Sequence, residues 1–359
     1  METTETAGPV SEADHPWETE RGMRAVRPEA GAPRLGFAGV GWIGRLRMEA
    51  VLESGVAQVV AVADPEEGCR ARAAELAPDA VATPSFRDLL ELDLDGVVIA
   101  TPSALHAEQA IAALERGLAV FCQKPLARTA AETRQVVRAA RGADRLLGVD
   151  MVYRTTEAVR ALRRAVDQGA LGSLFAGRFV FHNAYGPDKP WFYQRALSGG
   201  GCVIDLGTHL IDLALWLTGR RVQRVHGRLY ERGRPLAPGA AQVEDYATVQ
   251  LELEGGVTVD LACSWNLAAG CDAVIEVSLY GTEGGASMRN VGGSFYDFTT
   301  ELYRRTARRV LSHPPDEWGG RALVDWAAAL GRSPGYRSSI EEMIAVAEVV
   351  DRIYGGDTA

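Results

Sequence analysis

The chain is 359 residues long, 47% apolar and 24% charged, with a formal net charge of −9. That length allows two domains with sizeable cores, and the composition is that of an ordinary globular protein. The acidic balance gives no general electrostatic support to a nucleic-acid or anionic-membrane partner. The five cysteines are scattered, odd in number and form no Cys-x-x-Cys pair, which speaks against a disulfide framework or a zinc ribbon and for reduced thiols in a cytoplasm.

No apolar run in the sequence reaches membrane-spanning length. The first twenty residues carry six acids and no Lys or Arg. With the Pro/Gly/Ala-rich "RPEAGAPR" that follows, residues 1–33 read as a disordered leader.

From Arg34 the pattern changes. "RLGFAGV" is a short apolar run typical of a buried strand, and it leads into "GVGWIG". That is G-x-G-x-x-G, formed by Gly39, Gly41 and Gly44 around Trp42 and Ile43. The first glycine permits a tight turn, the second lets the backbone approach a pyrophosphate, and the third lets helix and strand pack closely. The phosphates are expected at the N-terminus of a helix starting near Trp42, where free N–H groups favour anions. A second strand, "QVVAVAD", ends in Asp64, twenty residues after Gly44. An acid there accepts from a ribose 2′-hydroxyl and repels a 2′-phosphate, and no Arg follows directly in "ADPEEGCR". The expected cofactor is therefore NAD, with NADP less favoured. A structural glycine turn with a surface Asp is the plain alternative.

Strands and helices continue to alternate to residue 151, as in a doubly wound parallel sheet with helices on both faces. Ligands on such sheets bind at the carboxyl ends of the strands. Two loops lie at that edge, "TPSALH" and "CQKPLA". They place Thr101, Pro102, His106, Gln123 and Lys124 beside the cofactor. Pro125 restricts Lys124 to extended backbone, so Lys124 is a candidate catalytic group, although most lysines at loop starts simply face water.

After Met151 the strict alternation fades. "EAVRALRRAVDQGALG" is a helix with a glycine stop. "SLFAGRFVFHN", "RRVQRVHGRLYE", "DYATVQLELEGGVTVDLACSWN" and "DAVIEVSLYGTEGGASMRN" alternate with period two, as in an antiparallel sheet covered on one face. "SIEEMIAVAEVVDRIY" is an amphipathic helix. Residues 152–359 thus form a second α/β domain with a large open sheet. Its uncovered face predicts a homodimer or homotetramer through this domain.

Within the second half, "GGGCVIDLGTHLIDLALWLTG" reads as one apolar helix from Val203 to Leu217, interrupted by Asp205, His209 and Asp212. Spacings of four and three put these three on one stripe. Alcohol oxidation needs a proton acceptor as hydride leaves carbon, and a histidine near neutrality suits it. A carboxylate one turn away can orient that histidine or raise its pKa. The alternatives are a core histidine satisfied by Asp205, or a metal site from Asp205, His209 and His182 that no further ligand completes. Asp212 reads as structural. Tyr153 and Arg154 in "VYRT", and Asn183, Tyr185 and Trp191 in "FHNAYGPDKPWFYQ", are candidate substrate contacts, since aromatic rings suit sugar faces and polar side chains suit hydroxyls.

"GVGWIG", "TPSALHAEQAIAALERGLAVFCQKPLA", "GGGCVIDLGTHLIDLALWLTG", "EDYATVQLELEGGVTVDLACSW" and "IEVSLYGTEGGASM" occur in that order from Arg34 onward. In this the sequence resembles the glucose–fructose oxidoreductase / inositol dehydrogenase / rhizopine-catabolism (Gfo/Idh/MocA) oxidoreductases. The resemblance implies a Rossmann domain followed by an α/β domain with a large, mostly antiparallel sheet. It also implies NAD(P)-linked oxidation or reduction of a sugar, nucleotide sugar, aminosugar or cyclitol, with no metal. It makes Lys124 the catalytic lysine, and Asp205 and His209 the acid–base pair of a D-x-G-x-H segment. Where the family usually carries Glu, this chain has Gln123, which bears on cofactor affinity and on the charge of Lys124. Two other functions remain open at this stage. One is a redox-neutral glycosidase or lyase that oxidises a sugar carbon transiently. The other is a non-catalytic NAD-binding sensor.

Overall fold

The computed structural model of this protein describes residues 26, 28 and 31–356. Of the leader, residues 1–25, 27, 29 and 30 lie outside the described residues. The Val26 N–H donates to the carbonyl of Leu52, and its side chain lies over Gly55.

The first half forms a parallel sheet of β1 (Arg34–Ala38), β2 (Gln58–Ala63), β3 (Val81–Thr83), β4 (Gly96–Ile99), β5 (Ala119–Cys122) and β6 (Leu147–Val149), in the order β3-β2-β1-β4-β5-β6. The connections carry α1 (Trp42–Ser54), α2 (Glu67–Leu76), α3 (Phe86–Leu89), α4 (Ser103–Glu115) and α5 (Ala130–Ala143). Every residue of β4 and β5 is buried, as strands covered on both faces require. The strand order reverses between β1 and β4, which opens a crevice at their carboxyl ends.

The second half opens with α6 (Glu157–Asp167), capped by Thr156, whose side chain accepts from the Val159 N–H. Its apolar face is Ala158, Val159, Ala161, Leu162 and Ala165, a helical spacing that seals one side of the next sheet. That sheet uses β7 (Leu174–Asn183), β8 (Val222–Glu231), β9 (Arg234–Pro235), β10 (Tyr246–Leu253), β11 (Val257–Ser264), β12 (Ala273–Gly281), β13 (Gly285–Asn290), β14 (Phe298–Arg304) and β15 (Ala307–Ser312). Their order is β15-β14-β13-β12-β7-β11-β10-β8-β9. All neighbours are antiparallel except β7 and β11. In β10, Ala247, Val249, Leu251 and Leu253 face the core, while Thr248 and Gln250 face outward. Between β7 and β8 the chain forms α7 (Arg195–Ser198) and α8 (Thr208–Thr218). The helical stretch Arg195–Thr218 is long and apolar enough to cross a membrane, but 83% of its most apolar window is buried inside the protein.

One expectation changes. The uncovered sheet face is mixed, carrying Arg178, Gln250, Asp260 and Glu276 beside Val180, Ala262 and Tyr280, and not the mainly apolar face expected. The chain also crosses back over the division at residue 151: α9 (Arg321–Arg332) returns to the first sheet. Trp326 packs on Phe121 with ring centroids 5.6 Å apart. Gly96 and Gly148 make room for it, since a β-carbon on either would stand 2.9 or 2.5 Å from the indole. The last helix, α10 (Glu342–Gly355), packs on both α5 and α8 and so bridges the halves.

Candidate active site

The glycine turn has the geometry of a phosphate cradle. Gly39 has φ of +82°, and a β-carbon there would meet the Ala100 carbonyl at 2.6 Å. A β-carbon on Gly44 would meet the Gly39 carbonyl oxygen at 2.1 Å. Gly41, by contrast, faces open space, where a side chain would obstruct a ligand. The first turn of α1 has no side-chain cap, so its N–H groups are presented to that space. Trp42 is exposed at the start of α1, and Ile43 is half-buried behind it. Asp64 closes one side. Its Oδ2 accepts from the Val40 N–H and its Oδ1 from the Glu66 N–H, both at 2.9 Å. This set of free N–H groups, small residues and a ribose-side carboxylate fits a dinucleotide. Arg70, from α2, donates to the carbonyls of Asp64 (2.6 Å) and Pro65 (2.9 Å). A cation thus stands six residues after the acid.

Thr101 and Pro102 lie at the end of β4, with the Thr101 hydroxyl donating to Gln109 Oε1 at 2.6 Å. His106 is held between the two loops. It is 1% exposed, and its two ring nitrogens lie 2.7 Å from the carbonyl oxygens of Thr101 and Pro125. Burial lowers its pKa against the pull of those carbonyls. It joins the two loops from behind, because α4 turns that face of the helix inward. Gln123 is buried, and Lys124 follows it into a cis peptide with Pro125.

Lys124 reaches across to the second half. Its Nζ donates to both the main-chain oxygen and Oδ1 of Asp205, each at 2.6 Å. Oδ2 of Asp205 accepts from the indole N–H of Trp265 at 3.0 Å. The expected Asp205–His209 pairing is therefore absent, because both carboxylate oxygens are held elsewhere. The local backbone explains this. Val203–Gly207 is a π-helical turn that precedes α8, not the start of one regular helix. The wider turn breaks the simple stripe and turns Asp205 toward Lys124. His209 is 6% exposed and stands edge-on to Tyr153 at 5.0 Å. Burial, then the charges of Lys124 and Arg47, hold its pKa well below the ordinary histidine value, so the imidazole is neutral at pH 7. His182 is bonded to Ser264 and stacked on Tyr246, so it does not join Asp205 and His209 as a ligand set.

Residues 34–151 match the model of the oxidoreductase family with an NAD-binding Rossmann fold, and residues 159–287 match the GFO/IDH/MocA C-terminal domain. The chain belongs to the Gfo/Idh/MocA oxidoreductase family. Levoglucosan dehydrogenase of Pseudarthrobacter phenanthrenivorans is 31% identical to it over 252 residues, covering 64% of each protein. Inositol 2-dehydrogenase 1 of Saccharopolyspora erythraea is 30% identical, covering 87% of this chain and 97% of that protein. Among solved structures, GenD2 from gentamicin A biosynthesis, in complex with NAD, superposes with a TM-score of 0.76 at 25% identity, covering 94% of this chain and 96% of that one. The matches to the first curated relatives span 64, 58 and 57% of their lengths.

In this Gfo/Idh/MocA chain the remaining candidate substrate contacts are partly committed elsewhere. Arg154 makes a bidentate pair with Asp212 (2.8 and 2.6 Å) and a third bond to Glu342 (2.7 Å). It therefore clamps α8 to α10 through three hydrogen bonds. Tyr153 is buried among Phe181, His209, Phe298 and Trp318, and burial raises its pKa. It packs edge-on against His209. Asn183 Oδ1 accepts from the Tyr185 N–H, and the Tyr185 hydroxyl donates to Asp272 at 2.7 Å. Trp191 stacks on Phe192, whose edge meets Trp265 at 6.3 Å, so this loop forms a rim beside Trp265.

Two features were not legible in the sequence. An open cleft of about 600 Å³ lies beside Trp265, lined by Tyr230, Arg232, Asp245, Tyr246 and Asn266 from the sheet. Glu244 holds the start of the segment that carries Asp205 and His209. Its carboxylate accepts from the N–H groups of Gly201 (3.1 Å) and Val203 (2.8 Å) and from the Tyr354 hydroxyl (2.8 Å). Burial pushes its carboxyl up against the pull of those donors. A β-carbon on Gly201 would stand 2.0 Å from the Glu244 carbonyl oxygen, which explains a glycine there.

Proposed function

We propose that this protein is an NAD-dependent oxidoreductase that moves hydride between the nicotinamide and a carbinol or keto carbon of a sugar or cyclitol. The observation that carries this reading is the Lys124–Asp205 pair, with neutral His209 beside it, at the carboxyl end of β5 and next to the phosphate cradle. When bound, NAD supplies the hydride acceptor; the protein supplies proton handling and orientation.

An ammonium group has three N–H donors, and Asp205 takes two of those on Lys124. The third is available to a substrate hydroxyl oxygen. There it fixes the carbinol and stabilises the alkoxide character that develops as the C–H bond breaks. The neutral imidazole of His209 is the group able to take the hydroxyl proton at pH 7, and it returns that proton in the reduction direction. Trp265 and Glu244 hold Asp205 and its helix in place, so the carboxylate orients Lys124. Asp64 favours NAD over NADP, since its carboxylate repels a 2′-phosphate. The aromatic and polar lining beside Trp265 suits a sugar, which combines apolar ring faces with hydroxyls. The same reading places the protein in the cytoplasm as a homodimer or homotetramer.

The test is to incubate pure protein with NAD and a panel of sugars and cyclitols. Net NADH formation supports the proposal. Product without net NADH makes the protein a redox-neutral lyase or glycosidase, and tight NAD binding with no product makes it a sensor.

A further inference from the structure

One buried charge cluster lies behind the loop that carries Lys124. Asp150 directly follows β6, and its side chain is 1% exposed. A single oxygen, Oδ2, accepts both from Nε of Arg47 on α1 (2.6 Å) and from Nε2 of Gln123 at the exit of β5 (2.5 Å). The Arg47 side chain is itself 8% exposed. The other oxygen, Oδ1, is buried without a hydrogen-bond partner among the described residues. An anion in the interior thus has its compensation concentrated on one atom, from one cation and one amide. A buried charge so held is strongly destabilised when either donor is lost.

The type of residue 123 follows from this contact. A glutamate there could not donate to Oδ2 when ionised. It would set a second carboxylate at hydrogen-bond distance from the first, and two such groups cannot both ionise without a large cost. Glutamine has the same shape and supplies the N–H. We propose that Gln123 and Asp150 are a matched pair. In it, Asp150 carries the carboxylate charge that balances Arg47 beneath Lys124, and Gln123 is the donor that this placement requires. Asp150 is then a positioning residue for the loop that carries Lys124. Gln123 is matched to its surroundings and is no sign of a decayed site.

The cluster also reaches the catalytic histidine. Asp150 faces Arg47, Gln123 and the Cys122 thiol, and burial followed by Asp150 pushes that thiol up. His209 faces Lys124, Arg47 and the ring of Tyr153. Removing the Asp150 charge leaves Arg47 unbalanced and makes a proton on His209 still less favourable.

The experiment exchanges the charge. Gln123→Glu, Asp150→Asn and the double variant are compared by thermal denaturation without cofactor at pH 8 and pH 5.5. At pH 8 each single variant is expected to melt about 5–10 °C below the parent. The loss in Gln123→Glu is expected to shrink at pH 5.5, where one of the two carboxyls takes a proton. The double variant, with one carboxylate and one amide exchanged, is expected to return to within about 2 °C of the parent. A Gln123→Glu variant as stable as the parent at pH 8 overturns the proposal, as does a double variant no better than the worse single. If Asp150→Asn does not fold, the double variant decides: folded supports the pairing, unfolded overturns it. A kinetic arm rests on the functional reading above. The acid limb of kcat/KM is expected to move down in Asp150→Asn and to return in the double variant; an unmoved limb in the folded, active single variant overturns the link to His209. Inactivity of the parent on every sugar, with the thermal exchange intact, refutes the functional reading and leaves the pairing standing.

Discussion

Lys124 and Asp205 meet across the two halves of the molecule, with Nζ 2.6 Å from a main-chain and a carboxylate oxygen of the same residue. The lysine sits on a strand exit and the aspartate in a π-helical turn, and both side chains are more than four-fifths buried. Replacing Lys124 or His209 by Ala is expected to lower kcat by about a hundred- to ten-thousand-fold, the usual range for a positioned acid–base group. NAD affinity, measured by quenching of protein fluorescence, should change little. A comparable fall in NAD affinity would make Lys124 a cofactor-binding group and not a chemical one.

The depressed pKa of His209 sets a pH signature. The base must be unprotonated, so the acid limb of kcat/KM should lie below the ordinary histidine value of about 6.5. Stability follows by linkage. His106 and His209 bind a proton less readily in the native state than in the unfolded chain, so protons favour unfolding. Their contribution is complete above about pH 6.5 and is lost as pH falls through that value toward the native ones. Denaturant titrations from pH 8 to pH 5 check this; a midpoint that rises on acidification would contradict it.

Asp64 and Arg70 pull the cofactor preference in opposite directions. The carboxylate repels a 2′-phosphate, while the guanidinium on the neighbouring carbonyls would attract one. Asp64→Ser should therefore narrow the NAD-to-NADP affinity ratio by about tenfold, or 1.4 kcal/mol. Arg70→Ala on that background should remove most of the gain. Equal affinity of the parent for both cofactors would refute the assignment of Asp64.

Glu244 makes a separate prediction. Gln in its place keeps the shape but puts a neutral amide against donors that a carboxylate served. Hydrogen bonds to a charged group contribute about 1.5–3 kcal/mol each, so Glu244→Gln should cost about 2 kcal/mol or more. Tyr354→Phe should cost less, since it removes one donor of the set. Equal stability of Glu244→Gln and the parent would show that the group is neutral in the native protein.

The outer face of the nine-stranded sheet carries Arg178, Asp260 and the Glu276–Arg289 pair, 3.5 Å apart. Association through such a face relies on charge pairing more than on apolar area. Light scattering at micromolar protein should find a dimer or tetramer in 0.1 M salt that weakens in 1 M salt, where the screening length falls from about 10 Å to about 3 Å. A monomer at both salt concentrations would refute assembly by this route.

The features that could be read in the sequence are those whose physical demands are local. Gly39, Gly41, Gly44 and Asp64 meet needs of a single turn and strand end, and the structure puts them together as a cradle. Period-two alternation disclosed β10 to β13 because one face of each is buried. It missed β14 and the edge strand β15, where the exposed Arg304, Arg308 and Arg309 mask the alternation. Pairings over long sequence distance were hidden. The spacing of Asp205 and His209 suggested partners one helical turn apart, but a π-helical turn is not marked by residue type, and the true partner of Asp205 is 81 residues away. Arg154 with Asp212, and Gln123 with Asp150, are likewise set by tertiary approach, which the spacing of the residues does not reveal.

The return of α9 to the first sheet determines how this protein can be taken apart. A fragment ending at residue 151 would contain every residue of the cradle and yet leave Phe121 and the Gly96–Gly148 trough without Trp326, Ala327 and Leu330. It would present a strip of bare aromatic and aliphatic surface and aggregate. A chimera that grafts this nucleotide-binding half onto another partner must therefore carry residues 321–332 with it, and both ends of the inserted partner must open toward the same side.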